Sequence, residues 1–379
     1  MTKETLYYKN PYLSEFDATV VKCQENEKGY IIILDNTAFY PEGGGQPSDT
    51  GHIGDSYISY VYEKDDIIYH VSDRPLETGK VYKCSINWEL RFDYMQQHTA
   101  EHVVSGLIHK LYKADNVGFH IGESYVTIDF NKTFTTDDIE KIEYMVNEAV
   151  FKNIEVKVDY YDSTPDIEYR SKKELTGLIR IVTVPDYDIC ACCGTQLRTT
   201  GEIGLIKILD FQKYKSGTRL FIVSGYKALK DYQIKQKNAH EISEMLSEQV
   251  DEIASGVRKL LDERDSLKHD YFFARSEIIK HMADEIEPRR IIYSFKPDFN
   301  NNDMKMFLSH LGSKSELAAV FSGNDIDGYR YAISSRMQDF DNMVKRMNES
   351  LSGKGGGKGL AMGTVRCTHD EIHGFFNSL

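Results

Sequence analysis

Two sets of side chains that bind metal ions stand far apart in this chain, and they restrict its fold more than any other feature. His98 and His102 are four positions apart, so a helix would carry both imidazoles on one face. Three of the six cysteines fall within Cys190–Cys193, which is typical of metal binding in a reducing compartment rather than of disulfide formation. Thiolate and imidazole are ligands that zinc prefers in proteins. The sequence therefore predicts a zinc ion held between a helix and a much later segment.

The composition bounds the class of protein. A chain of 379 residues suggests about two to four folding units. No apolar run approaches the ~18 residues that span a bilayer, and residues 1–15 lack the apolar core of a signal peptide. We therefore expect a cytoplasmic protein with no membrane partner. The formal net charge of −13 argues against an indiscriminate nucleic-acid binder, so any contact with nucleic acid must be concentrated in local patches.

The pattern along the chain predicts an α+β multidomain protein. Short β-rich runs separated by Gly, Asp, Asn and Pro predict a small N-terminal β-barrel. Mixed helices and strands then predict an α/β sandwich that begins with an amphipathic helix at Arg91–Tyr112. Long coiled-coil-like helices and a small C-terminal α/β domain with a Gly-rich loop follow. The boundaries that we expect are 1–90, 91–225, 226–287 and 288–379.

Apolar residues recur at alternating spacings of four and three between Leu246 and Ile278, with only Arg264 polar in the seam. This spacing predicts a helix from about Lys227 to Ile286, most of it coiled-coil-like, that ends before Pro288. A seam of this length favours self-association or a helical hairpin, and the alternative is a long helix packed on its own domain. The expected partners therefore include a second copy, in a homodimer formed through the helical segment and the C-terminal domain.

The histidine motif has a second interpretation. The segment His98–His102 reads His-Thr-Ala-Glu-His, which fits the His-x-x-Glu-His pattern of metallopeptidases in which Glu101 would be the general base. This interpretation needs a further acidic ligand, for which Glu143 or Glu148 is available. It leaves the cysteines and the glycine-rich segment without a role. The metallopeptidase is therefore the weaker alternative.

Three consecutive glycines, Gly43, Gly44 and Gly45, follow Pro41 near the start of the chain. Glycine permits positive φ angles and a close approach of the backbone to a ligand. The segment is suited to a tight turn that closes the barrel. Near a metal ion, its N–H groups could also support an ester oxygen as negative charge develops there.

These motifs together resemble one family. Tyr-Pro-x-Gly-Gly-Gly-Gln near the start, then His-x-x-x-His, then Cys-x-Gly-Thr-His is the pattern of the alanyl-tRNA editing domain, whose free-standing members are called AlaX. The chain resembles the long AlaX form over essentially its whole length, with very close matches at Thr37–Gly51, Gly118–Gly122 and Gly194–Ile208. That form is similar to the C-terminal half of alanyl-tRNA synthetase, with an editing domain, long helices and a small α/β domain.

The resemblance implies one Zn²⁺ per chain, held by His98, His102 and Cys192. At the fourth ligand position of the family, histidine is replaced here by Gln196. An amide oxygen is a poorer donor to zinc than imidazole is. Gln196 is therefore expected either to bind the metal ion weakly or to leave the fourth ligand position to a water molecule. Cys190 or Cys193 could also substitute, although adjacent residues of a strand point to opposite faces. We expect the metal to bind less tightly than in members that keep four strong ligands.

By the same resemblance, the chain hydrolyses in trans the ester that joins serine to the terminal ribose of alanine tRNA and spares the alanyl ester. Glycine is a second candidate substrate. We expect no aminoacylation domain, because no segment is left over to activate an amino acid.

Thr37 matches the family residue whose hydroxyl contacts serine, and His120 is either a neighbour of the pocket or a packing histidine. The catalytic candidates are Thr37, Gly43, Gly44, Gly45 and His120. Since Gln196 departs from the family, a tRNA-binding relative with weakened catalysis is the alternative.

A run of glycines interrupted by two lysines lies in the C-terminal part. Lys354 and Lys358 within Gly353–Gly359 are donors on an open backbone, which suits contact with phosphate. The run fails the Walker A pattern, because the spacing is too short and Gly359 replaces the required Ser or Thr. We expect a flexible cationic loop. A disordered linker is the alternative, and the resemblance favours contact with tRNA, dimerisation, or both.

Overall fold

The computed structural model describes residues 5–27, 29–171 and 177–379 of the chain. Two compact units are present, Met1–Glu241 and Ile242–Leu379. The boundaries that we expected at 90, 225 and 287 divide the chain more finely and stay predictions. The mixed α/β architecture is confirmed. Within the described ranges, none of the helices combines the length and the apolar composition needed to cross a lipid bilayer.

The first part of the chain closes into the small barrel that the turn-separated runs predicted. Its elements are α1 (Leu6–Lys9), β1 (Glu15–Asn26), β2 (Gly29–Leu34), β3 (Gly51–Ile53), β4 (Ser56–Lys64), β5 (Ile67–Ser72) and β6 (Val81–Ile86). The strands are hydrogen-bonded in the order β1-β2-β5-β4-β3-β6, and β1 pairs with β6 to close the ring. Inward side chains such as Val20, Ile32 and Val61 are fully buried, and each contributes about 1.5–3 kcal/mol to folding.

Among the described residues, two further sheets and the helices α2 and α3 follow the barrel within the same unit. The elements are α2 (Trp88–Tyr112), β7 (Asn116–Ile121), β8 (Val126–Phe130), α3 (Thr136–Lys152), β9 (Lys157–Tyr161), β10 (Ile179–Val184), β11 (Asp188–Ala191), β12 (Ile206–Tyr214) and β13 (Gly217–Ser224). One sheet has the order β12-β13-β8-β7 and the other β11-β10-β9. A capping box begins α3, because Thr135 Oγ1 accepts from the Asp138 N–H while the Asp138 carboxylate accepts from the Thr135 N–H.

Helix α2 runs through the interior of this unit and carries the two histidines. Asn87 caps its N-terminus by accepting a hydrogen bond from the Leu90 N–H. Every residue from Met95 to Ile108 is buried, so polar side chains in this stretch must find partners within the protein. Gln97 illustrates this, since its amide both donates to the Ser224 carbonyl and accepts from the Ser224 N–H.

The long helical segment is interrupted, contrary to the prediction of one helix from Lys227 to Ile286. Two helices are present, α4 (Gly225–Leu246) and α5 (Ile253–Asp284). Ser247 has a left-handed φ of 54°, a conformation that ends an α-helix. The single-helix prediction is therefore wrong at this point, because apolar spacing alone does not reveal one residue that leaves the helical conformation.

The apolar seam of α5 faces outward. Its residues Leu260, Leu267, Tyr271 and Ile278 are all at least 53 % exposed. Apolar surface of this extent along one helix face is the kind that a coiled-coil partner covers. Coiled-coil pairing and the homodimer stay predictions.

The second unit contains a five-stranded sheet between helices. Its further elements are β14 (Ile291–Phe295), α6 (Asn301–Leu311), β15 (Leu317–Asn324), β16 (Gly328–Ser335), α7 (Phe340–Ser350), β17 (Lys354–Gly356), β18 (Leu360–Val365) and α8 (His369–Asn377). The strand order is β14-β15-β16-β18-β17, and only the pair β14–β15 is parallel. Alternate residues of β15 divide between two cores, with Val320 packed among residues of α5 and α6 and Phe321 among those of α7 and α8.

Part of the glycine run is a strand rather than the flexible loop that we expected. Strand β17 pairs antiparallel with β18, and Gly355 stands opposite Gly363. A Cβ on Gly363 would lie 2.2 Å from the Lys354 carbonyl oxygen, so glycine is what lets the two backbones approach this closely. The two lysines therefore belong to a short hairpin at the edge of the sheet.

Candidate metal centre

Two imidazoles and one thiol converge in the interior of the first unit. His98 and His102, one turn apart on α2, are both 1 % exposed, and their rings lie nearly parallel with centroids 5.5 Å apart. Cys192, just after β11, places its Sγ 3.3 Å from His98 Nε2. The ligand atoms of the three residues lie within 4.8 Å of one another. We call this set the ligand cluster.

A hydrogen-bond acceptor holds the far nitrogen of each imidazole. His98 Nδ1 lies 2.9 Å from Gln46 Oε1, and His102 Nδ1 lies 2.7 Å from Asp188 Oδ2. Since amide and carboxylate oxygens accept, each Nδ1 carries a proton, so Nε2 is the atom that offers a lone pair to a metal ion when the ring is neutral. Metal-binding histidines usually have an acceptor of this kind behind them, which fixes the tautomer and the orientation of the ring.

The ligand cluster fits a zinc ion. His102 Nε2 is buried and has no hydrogen-bond partner among the described residues. Leaving a buried polar atom unpaired costs about 1–3 kcal/mol, and a metal ion would remove that cost. Two imidazole nitrogens and one thiolate are zinc ligands, and a site with three protein ligands leaves a position for water or substrate. The donor set therefore suits a catalytic rather than a closed structural site.

The charges of the ligand cluster favour the thiolate. Burial raises the pKa of the Cys192 thiol, but the imidazoles of His98 and His102 outweigh burial and hold that pKa well below its ordinary value. Burial lowers the pKa of His102, whereas the Cys192 thiolate and Asp188 raise it, with a net value of about 10. The cluster thus attracts a proton to His102. A divalent cation would take the place of that proton.

Gln196 lies beside the ligand cluster with its amide oxygen bonded elsewhere. This oxygen accepts a hydrogen bond of 2.8 Å from the Thr99 hydroxyl, and its Nε2 faces Cys192 Sγ at 3.8 Å. The amide therefore presents an N–H to the sulfur rather than a lone pair to a metal ion. Ligation by Gln196 would require the amide to turn and give up Thr99, and it stays a prediction.

The neighbouring cysteines take different positions. Cys193 is exposed, and its carbonyl accepts a hydrogen bond from the Tyr8 hydroxyl. Cys190 forms a second group of potential ligand atoms with His102 and Asp188, two residues that already bond to each other. Burial raises the pKa of the Cys190 thiol, so the neutral thiol is favoured. Cys192 is the cysteine whose environment suits a metal thiolate.

The glycine turn holds Gln46 against His98. Gly43 and Gln46 bond to each other through both backbone groups. Gly45 has a φ of 84°, and a Cβ there would meet the Phe119 ring at 2.4 Å. The Phe119 ring in turn lies 5.0 Å from that of His98. Glycine is therefore required where the turn packs against β7.

The backbone around Cys192 is fixed by its neighbours. Arg180 accepts from the Cys192 N–H through its carbonyl and donates from Nη1 to the Cys192 carbonyl at 2.7 Å. The Gly194 N–H donates to Cys192 Sγ at 3.3 Å. A Cβ on Gly194 would lie 2.0 Å from His98 Cε1, so only glycine fits between the sulfur and the imidazole.

Two predicted catalytic residues have their contacts outside the ligand cluster. Thr37 lies in the barrel, where its hydroxyl is 2.9 Å from His70 Nε2 and accepts from the Phe39 N–H. His120 is exposed on β7. Because side chains alternate along a strand, His120 lies on the face opposite Phe119, the residue whose ring packs on His98. The structure does not bring His120 to the imidazoles.

Glu101, the general base in the peptidase alternative, lies in a buried polar network. Its Oε1 accepts from the Ser105 hydroxyl at 2.6 Å and from the Asn116 amide at 2.5 Å. This network joins α2 to β7, which gives the carboxylate a structural role.

In the second unit, Lys354 and Lys358 are both exposed, as contact with a large anionic partner requires.

Sequence reasoning missed three residues that fix the ligand cluster, namely Gln46, Asp188 and Arg180. Gln46 ends the glycine motif, so its motif position was a signal that could have been used. Asp188 is one of two acids, with Asp186, just before the cysteines, which is weaker evidence. Arg180 interrupts the apolar strand β10 and is 5 % exposed; a cation in such a strand needs a specific partner.

Comparisons with known proteins relate the chain to tRNA synthetases and tRNA editing proteins. The family model of the threonyl and alanyl tRNA synthetase second additional domain matches residues 179–225, and that of class II (A) tRNA synthetases matches residues 3–90. The alanyl-tRNA editing protein AlaX-L of Pyrococcus horikoshii is 30 % identical over 97 % of this chain and 96 % of its own length. The alanyl-tRNA editing protein Aarsd1 of Mus musculus is 24 % identical over 93 % of this chain and 92 % of its own.

An alanine–tRNA ligase shows how the chain relates to a larger protein. The ligase of Ignicoccus hospitalis is 29 % identical over 97 % of this chain, which spans 41 % of the ligase. The similarity to AlaX-L, in contrast, extends over nearly the full length of both proteins. This chain belongs to the AlaX-L family of alanyl-tRNA editing proteins.

Proposed function

We propose that this protein is a trans-acting hydrolase that removes serine from mischarged seryl-tRNA(Ala) and spares alanyl-tRNA(Ala). Glycyl-tRNA(Ala) is a second candidate substrate. The names of its relatives as alanyl-tRNA editing proteins support the reaction class. The observation that carries the proposal is the buried convergence of His98, His102 and Cys192 beside the glycine turn.

The protein's own residues prepare this site for one zinc ion. Bound there by the ligand cluster, zinc would supply a Lewis acid that activates water or binds the amino or hydroxyl group of the substrate. Gln46 and Asp188 orient the two imidazoles. Arg180 fixes the backbone of Cys192 on both sides. Such preorganisation means that little rearrangement is needed when the ester binds.

The glycine turn offers N–H groups to the ester. The N–H of Gly43 is taken by the Gln46 carbonyl, so this role falls to Gly44 and Gly45. Gly44 has a φ of 59°, and a Cβ there would have no atom within 4 Å, which leaves space for a ligand. N–H groups placed near a reacting carbonyl stabilise the negative charge that develops on its oxygen.

Thr37 is suited to accept a hydrogen bond from serine. Burial lowers the pKa of His70 to about 4, so this ring is neutral at pH 7. Its Nδ1 lies 3.1 Å from the Ile32 carbonyl oxygen and carries the proton, so Nε2 accepts the proton of the Thr37 hydroxyl. After accepting from the Phe39 N–H, the hydroxyl keeps one lone pair. Serine can donate to it and alanine cannot, which is the basis of strong discrimination.

We place tRNA contact on the second unit as well. Lys354 and Lys358 are exposed beside glycines, an arrangement that suits phosphate oxygens. The exposed seam of α5 is the surface that we expect to form a homodimer. We expect the protein to act in the cytoplasm, where its substrate is produced by mischarging.

The test is the release of amino acid by zinc-loaded protein from seryl-tRNA(Ala) and alanyl-tRNA(Ala). We expect the seryl ester to be hydrolysed much faster. Thr37→Val, which keeps the shape of the side chain and removes the lone pair, should lose this preference, whereas Thr37→Ser should keep it. Equal hydrolysis of both esters by the wild type would contradict the proposal. Tight tRNA binding without hydrolysis would favour the tRNA-binding alternative.

A further inference from the structure

Three tyrosines stack on one another across two strands of the barrel. The rings of Tyr60 and Tyr62, both on β4, have centroids 5.9 Å apart and planes 24° apart. Those of Tyr62 and Tyr69, the latter on β5, are 5.1 Å and 10° apart. Tyr62 and Tyr69 stand directly opposite each other in the sheet. We call Tyr60, Tyr62 and Tyr69 the tyrosine pile.

The tyrosine pile lies on the outer face of the barrel. Val61, between the two tyrosines of β4, is fully buried in the barrel core. His70, next to Tyr69, is also fully buried. Because side chains alternate along a strand, the three tyrosines point outward. Tyr60, at one end of the pile, is 40 % exposed, so part of this side chain is accessible to a ligand.

The exposed end of the pile is tied to the glycine turn. The Tyr60 hydroxyl donates to Glu42 Oε2 at 2.7 Å. The Glu42 N–H donates to the Val61 carbonyl at 3.0 Å, which holds the segment before the turn along the edge of β4. Glu42 directly precedes Gly43. The pile therefore begins where the turn beside the ligand cluster begins.

We propose that the tyrosine pile binds the unpaired 3′ end of tRNA by stacking with its bases. This inference rests on the proposed function, since hydrolysis at the terminal ribose requires the last nucleotides to lie beside the glycine turn. Aromatic side chains are the platforms on which proteins stack single-stranded bases, and every base has a face that can stack. A base that stacks on Tyr60 would add a fourth ring to the three stacked tyrosines.

The charge beside the pile favours bases over phosphates as the bound groups. The Tyr60 hydroxyl is hydrogen-bonded to the Glu42 carboxylate, and this negative charge repels a phosphate. RNA held here is therefore held by stacking, a contribution that depends little on salt. Contacts between lysines and phosphates, in contrast, weaken steeply as salt rises. The contribution of Tyr60 to RNA affinity should be the same at low and high salt.

The experiment measures binding of a short single-stranded RNA that ends in CCA to the full-length, zinc-loaded protein by fluorescence anisotropy. Tyr60→Leu should raise the Kd at least about fivefold, the lower range for loss of one stacked base. Tyr60→Phe keeps the ring and loses the bond to Glu42, so its Kd should stay near the wild-type value. Tyr57→Leu is the matched control, because Tyr57 lies on the same strand, is 42 % exposed and contacts His52 rather than the pile.

Equal RNA affinity of the wild type and Tyr60→Leu would overturn the inference. So would an equal loss in Tyr57→Leu, or a loss in Tyr60→Leu that disappears at high salt. If Tyr60→Leu does not fold, Tyr60→Trp provides the second variant, and its larger ring should tighten binding. RNA binding through Tyr60 without ester hydrolysis would contradict the proposed function but not the role of the tyrosine pile. Hydrolysis of seryl-tRNA(Ala) with an unchanged KM and RNA affinity in Tyr60→Leu would contradict the role of the tyrosine pile but not the proposed function.

Discussion

His102 and Asp188 form a buried hydrogen bond that orients one half of the ligand cluster. His102 Nδ1 lies 2.7 Å from Asp188 Oδ2 across a sequence separation of 86 residues, and both side chains are 1 % exposed. Arg170 holds the same carboxylate through Nε and Nη2. Burial raises the pKa of Asp188, but His102 and Arg170 together hold it below its ordinary value. The carboxylate therefore stays ionised and keeps the imidazole in the orientation that a metal ion needs.

Replacing this carboxylate should weaken zinc binding. Asp188→Asn keeps the size of the side chain and removes its charge, so the His102 ring loses its strongest partner. We expect zinc affinity to fall about 10- to 100-fold, as is usual for groups behind a metal-binding histidine. Competition with a chromophoric chelator measures this. Asp186→Asn is the control, because Asp186 is exposed and has a φ of 69° that Asn tolerates; equal zinc affinity in both variants would argue against the assigned role.

Gln196→His should strengthen the site. The amide N–H of Gln196 faces Cys192 Sγ, so a histidine at this position would bring a fourth strong ligand near the ligand cluster. We expect zinc affinity to rise about tenfold or more, measured by the rate at which a chelator removes zinc. Gln196→Leu separates the two accounts of the wild type. If Leu leaves zinc affinity unchanged, Gln196 is not a ligand, and a large loss would show that it is one.

The buried His70 should make the first unit less stable in acid. Burial lowers its pKa to about 4 from an ordinary value of 6.5. Between these values the unfolded chain binds a proton that the folded chain does not, so stability is complete above about pH 6.5 and falls as the pH decreases toward 4. The maximum loss is about 3 kcal/mol.

Urea unfolding of His70→Asn across this pH range measures the contribution. The variant should lose less stability than the wild type between pH 7 and pH 4, because it has no imidazole to protonate. His52→Asn is the control, since His52 is exposed on the same barrel. Identical pH profiles for the wild type and His70→Asn would show that the folded state tolerates a charged His70.

Lys354 and Lys358 should contribute electrostatically to tRNA binding. In the double variant Lys354→Ala/Lys358→Ala, the slope of log K against log salt should become shallower by about one for each phosphate contact that is lost. Deacylation at saturating tRNA should change little. Lys305→Ala is the control for a general change of charge, because Lys305 is also exposed in the second unit. An unchanged slope in the double variant would remove these lysines from the tRNA-binding surface.

Local patterns were sufficient to predict the barrel, helix α2 and the two potential histidine ligands, whereas the choice of Cys192 among three neighbouring cysteines came from the resemblance to the editing family. The strands of the barrel are separated by residues that favour turns, and His98 and His102 are close in sequence as well as in space. Their metal-binding chemistry is a property of the residue types. The barrel and the mixed architecture are confirmed, while the metal ion and its ligands stay predictions.

What the sequence could not reveal depends on single residues and on long-range contacts. The apolar spacing continues on both sides of Ser247, so nothing in the pattern marks the end of α4. Gly355 and Gly363 can pair closely because neither has a side chain. From composition alone, the same glycines predict a flexible loop. The bond between Gln46 and His98 joins two separate motifs, and no local signal states that they meet. The exposed position of His120 likewise depends on the register of β7.

The most direct test of the account compares serine release from seryl-tRNA(Ala) by zinc-loaded wild type, Cys192→Ala and Cys193→Ala, with bound zinc measured in the same samples. Cys192 belongs to the ligand cluster, whereas Cys193 is its exposed neighbour. We predict that Cys192→Ala loses both zinc and hydrolysis and that Cys193→Ala keeps both. Full hydrolysis by Cys192→Ala without bound zinc would contradict the account.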